Sequence, residues 1–294
     1  MKYTDLNDAD CAIAQALSVV GEWWSLLVVR DVAGGVHRFD DLQASLGISR
    51  KVLTQRLNTL VEHEVLERLA YSERPPRHEY HLSDKGRGLL PVLIALQDWG
   101  TRHVMGDGSL TATSAPTSLE AKRVHELVGR CVDLDVLTAY DGRATDPVGD
   151  TPWTVLYCFP GADVPGGTFH PPGWGEIPGA AGCTLESITY RDRHPEFVEA
   201  GVTVRGVSTQ RPDQLAAFAE HARLPFTLLS DADLLLAGSL RLPTFRAGGA
   251  DRLKRLTLVV NRDRVIEGVL FPVTDPAASV GEALRLAAGL VVSG

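Results

Sequence analysis

Cys183 is the residue of this sequence best placed to do chemistry. It ends a proline-led, glycine-rich loop within the stretch Pro178 to Asp192 (PGAAGCTLESITYRD) and precedes Thr184, Glu186 and a run with helical character. A sulfur there lies near a helix N-terminus, where free N–H groups and the positive end of the helix dipole favour a thiolate, the form that attacks peroxide or disulfide sulfur. The alternative for a cysteine in such a turn is a buried, inert small residue. The other cysteines, Cys11, Cys131 and Cys158, complete a set of four with no metal-ligand spacing and no dense framework. In a reducing compartment that pattern reads as free thiols, and it calls for no metal and no cofactor.

A second chemistry-bearing stretch lies near the N-terminus. Phe39-Asp40-Asp41-Leu42 opens a short helix closed by Gly47, and Ser49 can cap the next one. There Leu53, Leu57, Leu60 and Val61 keep an apolar stripe, while Arg50, Lys51, Thr54, Gln55 and Asn58 fall on the opposite side. A short helix, a glycine turn and a capped basic helix form a helix-turn-helix pattern. Val65–Tyr71 and His78–Leu82 alternate like two strands around Ser72-Glu73-Arg74-Pro75-Pro76-Arg77, making a wing. The plainer alternative is a helical domain with one solvated, charged face.

Two resemblances sharpen these readings. Gly182-Cys183-Thr184-Leu185-Glu186, Tyr190-Arg191-Asp192, the strand-like Val202–Ser208 and Arg255-Leu256-Thr257 resemble the active-site segments of thioredoxin-fold peroxiredoxins, most of all the bacterioferritin-comigratory type. The resemblance covers roughly Val132 to the C-terminus and implies that Cys183 is the peroxide-reactive thiol and that Arg255 faces its sulfur. It further implies that Glu186 holds Arg255 in place. Three departures stand out: Ala180 where the family has a peroxide-binding threonine, Ile188 where many members have a resolving cysteine, and an insertion rich in Pro and Gly from Gly161 to Ile177. Thr184 is then the candidate to replace part of the lost hydrogen bonding. Cys158, Cys11 or Cys131 is the candidate redox partner, with Cys158 expected nearest.

The second resemblance is carried by residues 11–17, Gly21–Asp31 (GEWWSLLVVRD), Arg38–Leu42, Leu46–Ser49, Leu53–Leu57 and Tyr80–Gly86. Together they resemble the HxlR branch of winged-helix regulators over nearly all of residues 8–103. That implies a homodimer, paired through its terminal helices, on an inverted repeat of double-stranded DNA. Ser49, Arg50, Lys51, Thr54, Gln55 and Arg56 become the recognition-helix contacts, and Arg74 and Arg77 wing contacts to phosphate or minor groove. Arg56 has an alternative as a structural partner of a carboxylate across the turn. Cys11 occupies the position of a sensing cysteine in some members, although Ala12 replaces the usual proline and a packed, inert thiol is the alternative.

The elements that must position these residues sort into two domains. Residues 9–31 read as two helices broken at Gly21, and a long helix is expected from Ser83 to about Val104. GDGSLTATSAPTS, residues 106–118, has no periodic apolar pattern and reads as a linker. Beyond it, strands at 132–139, 153–159, 202–207, 226–229, 256–260 and 265–271 alternate with helices at 119–128, 213–223 and 277–288, pointing to a sheet covered by helices. The expected fold is therefore a winged helix-turn-helix, mainly α with a β wing (1–105), a linker (106–118) and an α/β thioredoxin-like domain (119–294).

At 294 residues, 44% hydrophobic and 22% charged, the chain has room for two cores. Its net charge of −8, divided as −2 over residues 1–104 and −6 over the rest, makes any DNA contact a local basic surface rather than a bulk effect. No apolar run reaches membrane-spanning length and the first ten residues lack a signal peptide's basic and apolar regions, so a cytoplasmic protein without membrane contact is expected. Three functions compete: a DNA-binding regulator that senses oxidants at Cys183, a one-cysteine thiol peroxidase that uses the winged helix for dimerisation or targeting, and a regulator whose inert redoxin domain binds a small ligand near His170 and Trp174. Peroxide and a thiol reductant are the small partners of the first two.

Overall fold

A computed structural model describes residues 11–73 and 76–293. The chain divides into two compact units, residues 1–93 and 94–294. Among the described residues no single helix is long and apolar enough to cross a membrane.

The first unit holds α1 (Ala12–Val20), α2 (Trp23–Ala33), α3 (Phe39–Leu46), α4 (Arg50–Glu62), the hairpin β1 (Leu66–Glu73) and β2 (Pro76–Leu82), α5 (Asp84–Arg87) and the start of α6 (Leu90–His103). The break between α1 and α2 falls at Gly21, where a Cβ would meet the Leu17 carbonyl oxygen at 2.3 Å. Gly47 ends α3 in the left-handed region at φ 63°, which costs a glycine nothing. Ser49 then caps α4, its hydroxyl accepting from the Val52 N–H at 3.3 Å. Leu42, Leu53, Leu57 and Leu60 are all but fully buried against Val28, Val29 and Val32, each contributing about 1.5–3 kcal/mol of burial. β1 and β2 pair antiparallel from Leu66↔Leu82 outward, with an irregularity between Ala70 and Ser72. The expected single helix from Ser83 to Val104 is two helices, because Pro91 has no N–H to give the Arg87 carbonyl and its ring excludes a continuous ladder.

The second unit is built on a seven-stranded sheet in the order β11-β10-β5-β6-β7-β3-β4. Its strands are β3 (Leu137–Ala139), β4 (Ala144–Thr145), β5 (Trp153–Cys158), β6 (Val202–Ser208), β7 (Thr227–Ser230), β10 (Leu256–Asn261) and β11 (Ile266–Leu270). β5, β6 and β7 run parallel, and β10 joins β5 antiparallel with Leu256 opposite Cys158. A separate hairpin, β8 (Thr244–Ala247) and β9 (Ala250–Leu253), turns at Gly248-Gly249, both at positive φ. The helices are α7 (Leu119–His125), α8 (Cys183–Asp192), α9 (His194–Glu199), α10 (Pro212–Ala222), α11 (Leu235–Leu240) and α12 (Pro276–Ser293). Buried side chains alternate along β5: Val155, Tyr157 and Phe159 join one core with α8, α10 and α12, while Leu156 and Cys158 join the other with α7 and α11. This is the thioredoxin-like α/β arrangement.

Two stretches differ from expectation. The strand foreseen over 132–139 is regular only from Leu137, because the Arg264 side chain, rather than a neighbouring strand, holds the Val132 carbonyl (2.9 Å) and the Leu134 carbonyl. Residues 106–118 lie on the second unit: Ala112 is buried and its N–H donates to the Pro178 carbonyl at 2.8 Å.

Candidate functional site

Cys183 is the first residue of α8, as its sequence context requires. Gly182 immediately before it sits at φ 103°, and a Cβ there would meet Pro276 Cγ at 2.6 Å, so the close approach of α12 demands glycine. Arg255, leading into β10, reaches the same point. Its Nη2 donates to Cys183 Sγ at 3.3 Å and to the Ala181 carbonyl at 3.0 Å, and its Nη1 donates to Glu186 Oε2. Glu186 and Arg255 are sealed from solvent and Cys183 is 3% exposed. Thr184 follows on α8 and is half-buried. The residues expected to form the centre (Cys183, Glu186 and Arg255) are thus in contact.

Opposing influences act on the Cys183 thiol. Burial pushes the Cys183 thiol above its ordinary value and Glu186 adds to it, although the Arg255 guanidinium and the Gly161 N–H pull the other way. The sulfur accordingly stands within hydrogen-bonding reach of the Ala180 carbonyl, with Sγ–H as donor at 3.5 Å. Burial likewise raises the Glu186 carboxyl to about 7 against the pull of Arg255. Arg255 loses stability to burial, yet Cys183 and Glu186 outweigh that and hold its charge. Burial and Glu186 thus oppose loss of the Cys183 proton, and the Arg255 guanidinium favours it.

Ala180, which stands where a hydroxyl would bind peroxide, is fully buried in a small core with Ala112, Trp174, Phe245 and Ala247. The insertion that precedes it is packed: His170 stacks on Trp174 at 4.6 Å, and the Arg252 guanidinium lies 4.1 Å from the Phe169 ring centre and 4.8 Å from that of Trp174. Arg252 also donates to the Ala247 and Phe169 carbonyls.

None of the three candidate redox partners touches Cys183 among the described residues. All four cysteines are free. Cys158, thought nearest, packs on the opposite face of the sheet from Cys183, because alternation along β5 turns it away from Tyr157 and Phe159. Burial also pushes its thiol far up. Cys131 is exposed, bridging to Val265 beside β11, and burial and Asp133 raise its thiol. Cys11 is the half-buried residue that precedes α1 in the first unit.

In the first unit, Ser49, Arg50, Lys51, Thr54 and Gln55 are exposed together on the N-terminal half of α4. The Thr54 hydroxyl donates back to the Arg50 carbonyl at 2.8 Å, and Arg50 lies over the Phe39 ring with Asp40 3.4 Å away. Arg56 is half-buried and pairs with no carboxylate among the described residues, so its structural alternative finds no partner there. Arg77 is exposed on β2, and Arg74 lies outside the described residues. Sequence reasoning overlooked Arg38, which pairs with Glu79 at 2.9 Å, lies over Tyr71 and ties the start of α3 to the wing. It also overlooked Arg252 and Lys254. The Gly248-Gly249 pair was the available signal for the hairpin that carries them towards Arg255.

The fold and these sites define a class: a winged helix-turn-helix unit joined to a thioredoxin-like domain in which Cys183 and Arg255 meet. Comparison with known proteins agrees. The HxlR-like helix-turn-helix family matches residues 19–107 and the AhpC/TSA family matches residues 177–269. An uncharacterized HTH-type transcriptional regulator of Mycobacterium tuberculosis is 42% identical over 93 residues, 32% of this chain and 59% of the relative. The chain thus spans somewhat over half the length of that relative. A regulator of the same description from Synechocystis is 40% identical over 110 residues (37% of this chain, 77% of the relative), and the putative regulatory protein MalR of Fusobacterium mortiferum is 33% identical over 99 residues (33% and 93%). Among solved structures, peroxidoxin BcpB of M. tuberculosis is similar at 26% identity over 55% of this chain and 97% of that one, with a TM-score of 0.47. The chain belongs to the HxlR-like helix-turn-helix family, and it carries an AhpC/TSA-type domain behind that module.

Proposed function

We propose that the protein is a cytoplasmic DNA-binding transcriptional regulator whose peroxiredoxin-like domain senses oxidants through Cys183. The contact that carries this reading is Arg255 Nη2 on Cys183 Sγ at 3.3 Å, in a chain that also presents a capped, exposed basic helix. The DNA module is residues 1–105 and the sensing module 119–294, with 106–118 between them. A homodimer places two copies of α4 in successive major grooves of an inverted repeat, with Lys51, Thr54 and Gln55 towards the bases and Arg50, Arg56, Arg74 and Arg77 on the backbone. An exposed apolar stripe on α6, Val92, Leu96 and Trp99 at i, i+4 and i+7, supports pairing through a terminal helix.

In the sensing step Cys183 Sγ attacks the distal oxygen of a peroxide. An S–O bond forms, the O–O bond breaks, and the thiol proton ends on the departing oxygen, giving a sulfenic acid and an alcohol or water. Arg255 stabilises the charge that grows on sulfur and oxygen, and Glu186 keeps the guanidinium aimed rather than taking the proton. An external thiol condenses with the sulfenic acid, releasing water, and a second thiol displaces the first as a disulfide and restores Cys183.

The burial of Cys183 supports sensing over rapid turnover, as does Ala180, which lacks a hydroxyl. The contact between Cys183 and Arg255 equally favours a second reading, a one-cysteine thiol peroxidase, which peroxide consumption with a monothiol reductant tests against Cys183→Ser. The regulator reading is tested by anisotropy on an inverted-repeat DNA selected with the protein itself. Affinity should fall with salt and change severalfold on peroxide treatment of the wild type but not of Cys183→Ser. Oxidation that leaves affinity unaltered in both proteins removes it.

A further inference from the structure

A cavity of about 500 Å³ lies within the second unit, the size of a small-molecule site, and none of the residues lining it belongs to the Cys183 centre. One wall is α6 beyond Leu93, another is the segment 106–118, and α7 with Phe245 and Lys254 closes the floor. Met105, Leu110, Leu119 and Phe245 make the lining mainly apolar.

The polar groups are placed unevenly. Lys254, almost fully buried, spends its three donors inside the protein: on Glu120 at 2.7 Å, and on the Thr113 carbonyl and the Ser114 hydroxyl at 3.3 Å each. It has none left for an incoming anion. Arg102 is tied through Nε to the Gly108 carbonyl at 2.6 Å. Asp98 by contrast makes no hydrogen bond or ion pair among the described residues. Burial raises its carboxyl, and the charges of Lys254 and Arg102 only partly oppose that. The Thr113 hydroxyl is also buried without a partner among the described residues. In all, three carboxylates (Asp98, Asp107 and Glu120) line the space against two cations (Arg102 and Lys254).

We propose that this cavity binds a small organic amine with an apolar or aromatic body. Its ammonium group sits on the Asp98 carboxylate, the Thr113 hydroxyl takes a second polar atom, and the body covers Met105, Leu110 and Phe245. An ammonium supplies the donors that Lys254, spent on Glu120, Thr113 and Ser114, cannot give, and the apolar walls exclude water from the pair. Asp98, Arg102 and Met105 lie on α6, which starts in the first unit at Leu90, so an occupant touches the helix by which the chain leaves the winged helix. The site does not depend on the redox reading.

Calorimetric titration of the full chain with 4-phenylbutylamine, 4-phenylbutanol and 4-phenylbutyrate tests it. The amine should bind saturably, at least about tenfold tighter than the carboxylate. Asp98→Asn should remove that preference while the alcohol still binds, and Leu110→Trp, which fills the cavity, should abolish binding of all three. Cys183→Ser should bind the amine unchanged, which separates this outcome from failure of the sensor reading. Equal affinities for amine and carboxylate, an amine affinity indifferent to Asp98→Asn, or no saturable amine binding up to about 5 mM would each overturn the proposal.

Discussion

Removing the guanidinium from Cys183 is the sharpest perturbation of the proposed centre. In Arg255→Met the sulfur loses a donor 3.3 Å away. A full charge at that distance is worth at most about 5 kcal/mol at an effective dielectric constant of about 20. Hydrogen bonds to charged groups measure about 1.5–3 kcal/mol net, and the lower figure is the safer guide, giving a thiol pKa about one to two units higher at 1.36 kcal/mol per unit. Less thiolate is then available at fixed pH, but each thiolate is more nucleophilic, with a Brønsted slope of about 0.4–0.5. The two effects together leave peroxide oxidation about 3- to 10-fold slower. Because Glu186 would be left buried without its partner, the double variant Arg255→Met/Glu186→Gln is the folded control, verified by circular dichroism. The assay is the pH profile of Cys183 alkylation by iodoacetamide, together with stopped-flow oxidation rates, in a background with Cys11 and Cys131 as Ser and Cys158 as Ala. An unshifted or lowered alkylation midpoint in both variants refutes the reasoning.

Glu186, with a folded carboxyl near 7 against 4.5 for the ordinary residue, contributes stability that is fully present below about pH 4.5 and lost as pH rises through about 7; urea midpoints of the wild type should fall across that window more than those of Glu186→Gln, and parallel profiles would contradict this. Wild-type oxidation by peroxide should keep accelerating with pH beyond neutrality, since burial raises the Cys183 thiol, and a rate plateau already reached below about pH 7.5 would contradict that direction. Arg50→Ala should weaken binding to all DNA sequences alike and reduce the salt slope by about 1, whereas Gln55→Ala should cost about 1–3 kcal/mol at the preferred site only. Trp99→Glu, at a position 58% exposed on α6, should shift the protein from dimer to monomer in light scattering, and a retained dimer would place the pairing surface elsewhere.

Much of this arrangement is legible in the chain because it is local. Gly47 and Ser49 announce the turn and the cap of α4, and the leucines at 53, 57 and 60 fix which side faces the core, so the exposed set from Ser49 to Gln55 follows directly. Gly182 before Cys183 likewise marks the start of α8. Burial depth was not legible. The thiolate expected from the helix start takes no account of α12 and of Tyr157, Phe159 and Ala162, which share a core with Cys183 from other parts of the sequence. Cys158 looked near Cys183 because it stands one strand earlier, but the period of two along β5 turns it to the other face. The helix from Ser83 breaks at Gly88 and Leu89, just ahead of Pro91 in the first turn of α6, a signal masked by the apolar period around it. Residues 106–118, polar and aperiodic, nonetheless line a cavity, because their anchors are backbone groups that bond Pro178 and Lys254 and leave no mark on composition.

The central claim is that Cys183 is the thiol which reacts first. Mass spectrometry of all four cysteines after substoichiometric peroxide measures this directly, with sulfenic acid trapped by dimedone. The account predicts dimedone label on Cys183 ahead of Cys11, Cys131 and Cys158, accumulating about 3- to 10-fold more slowly when Arg255 is replaced. Label on Cys11 or on exposed Cys131 while Cys183 stays reduced would contradict it.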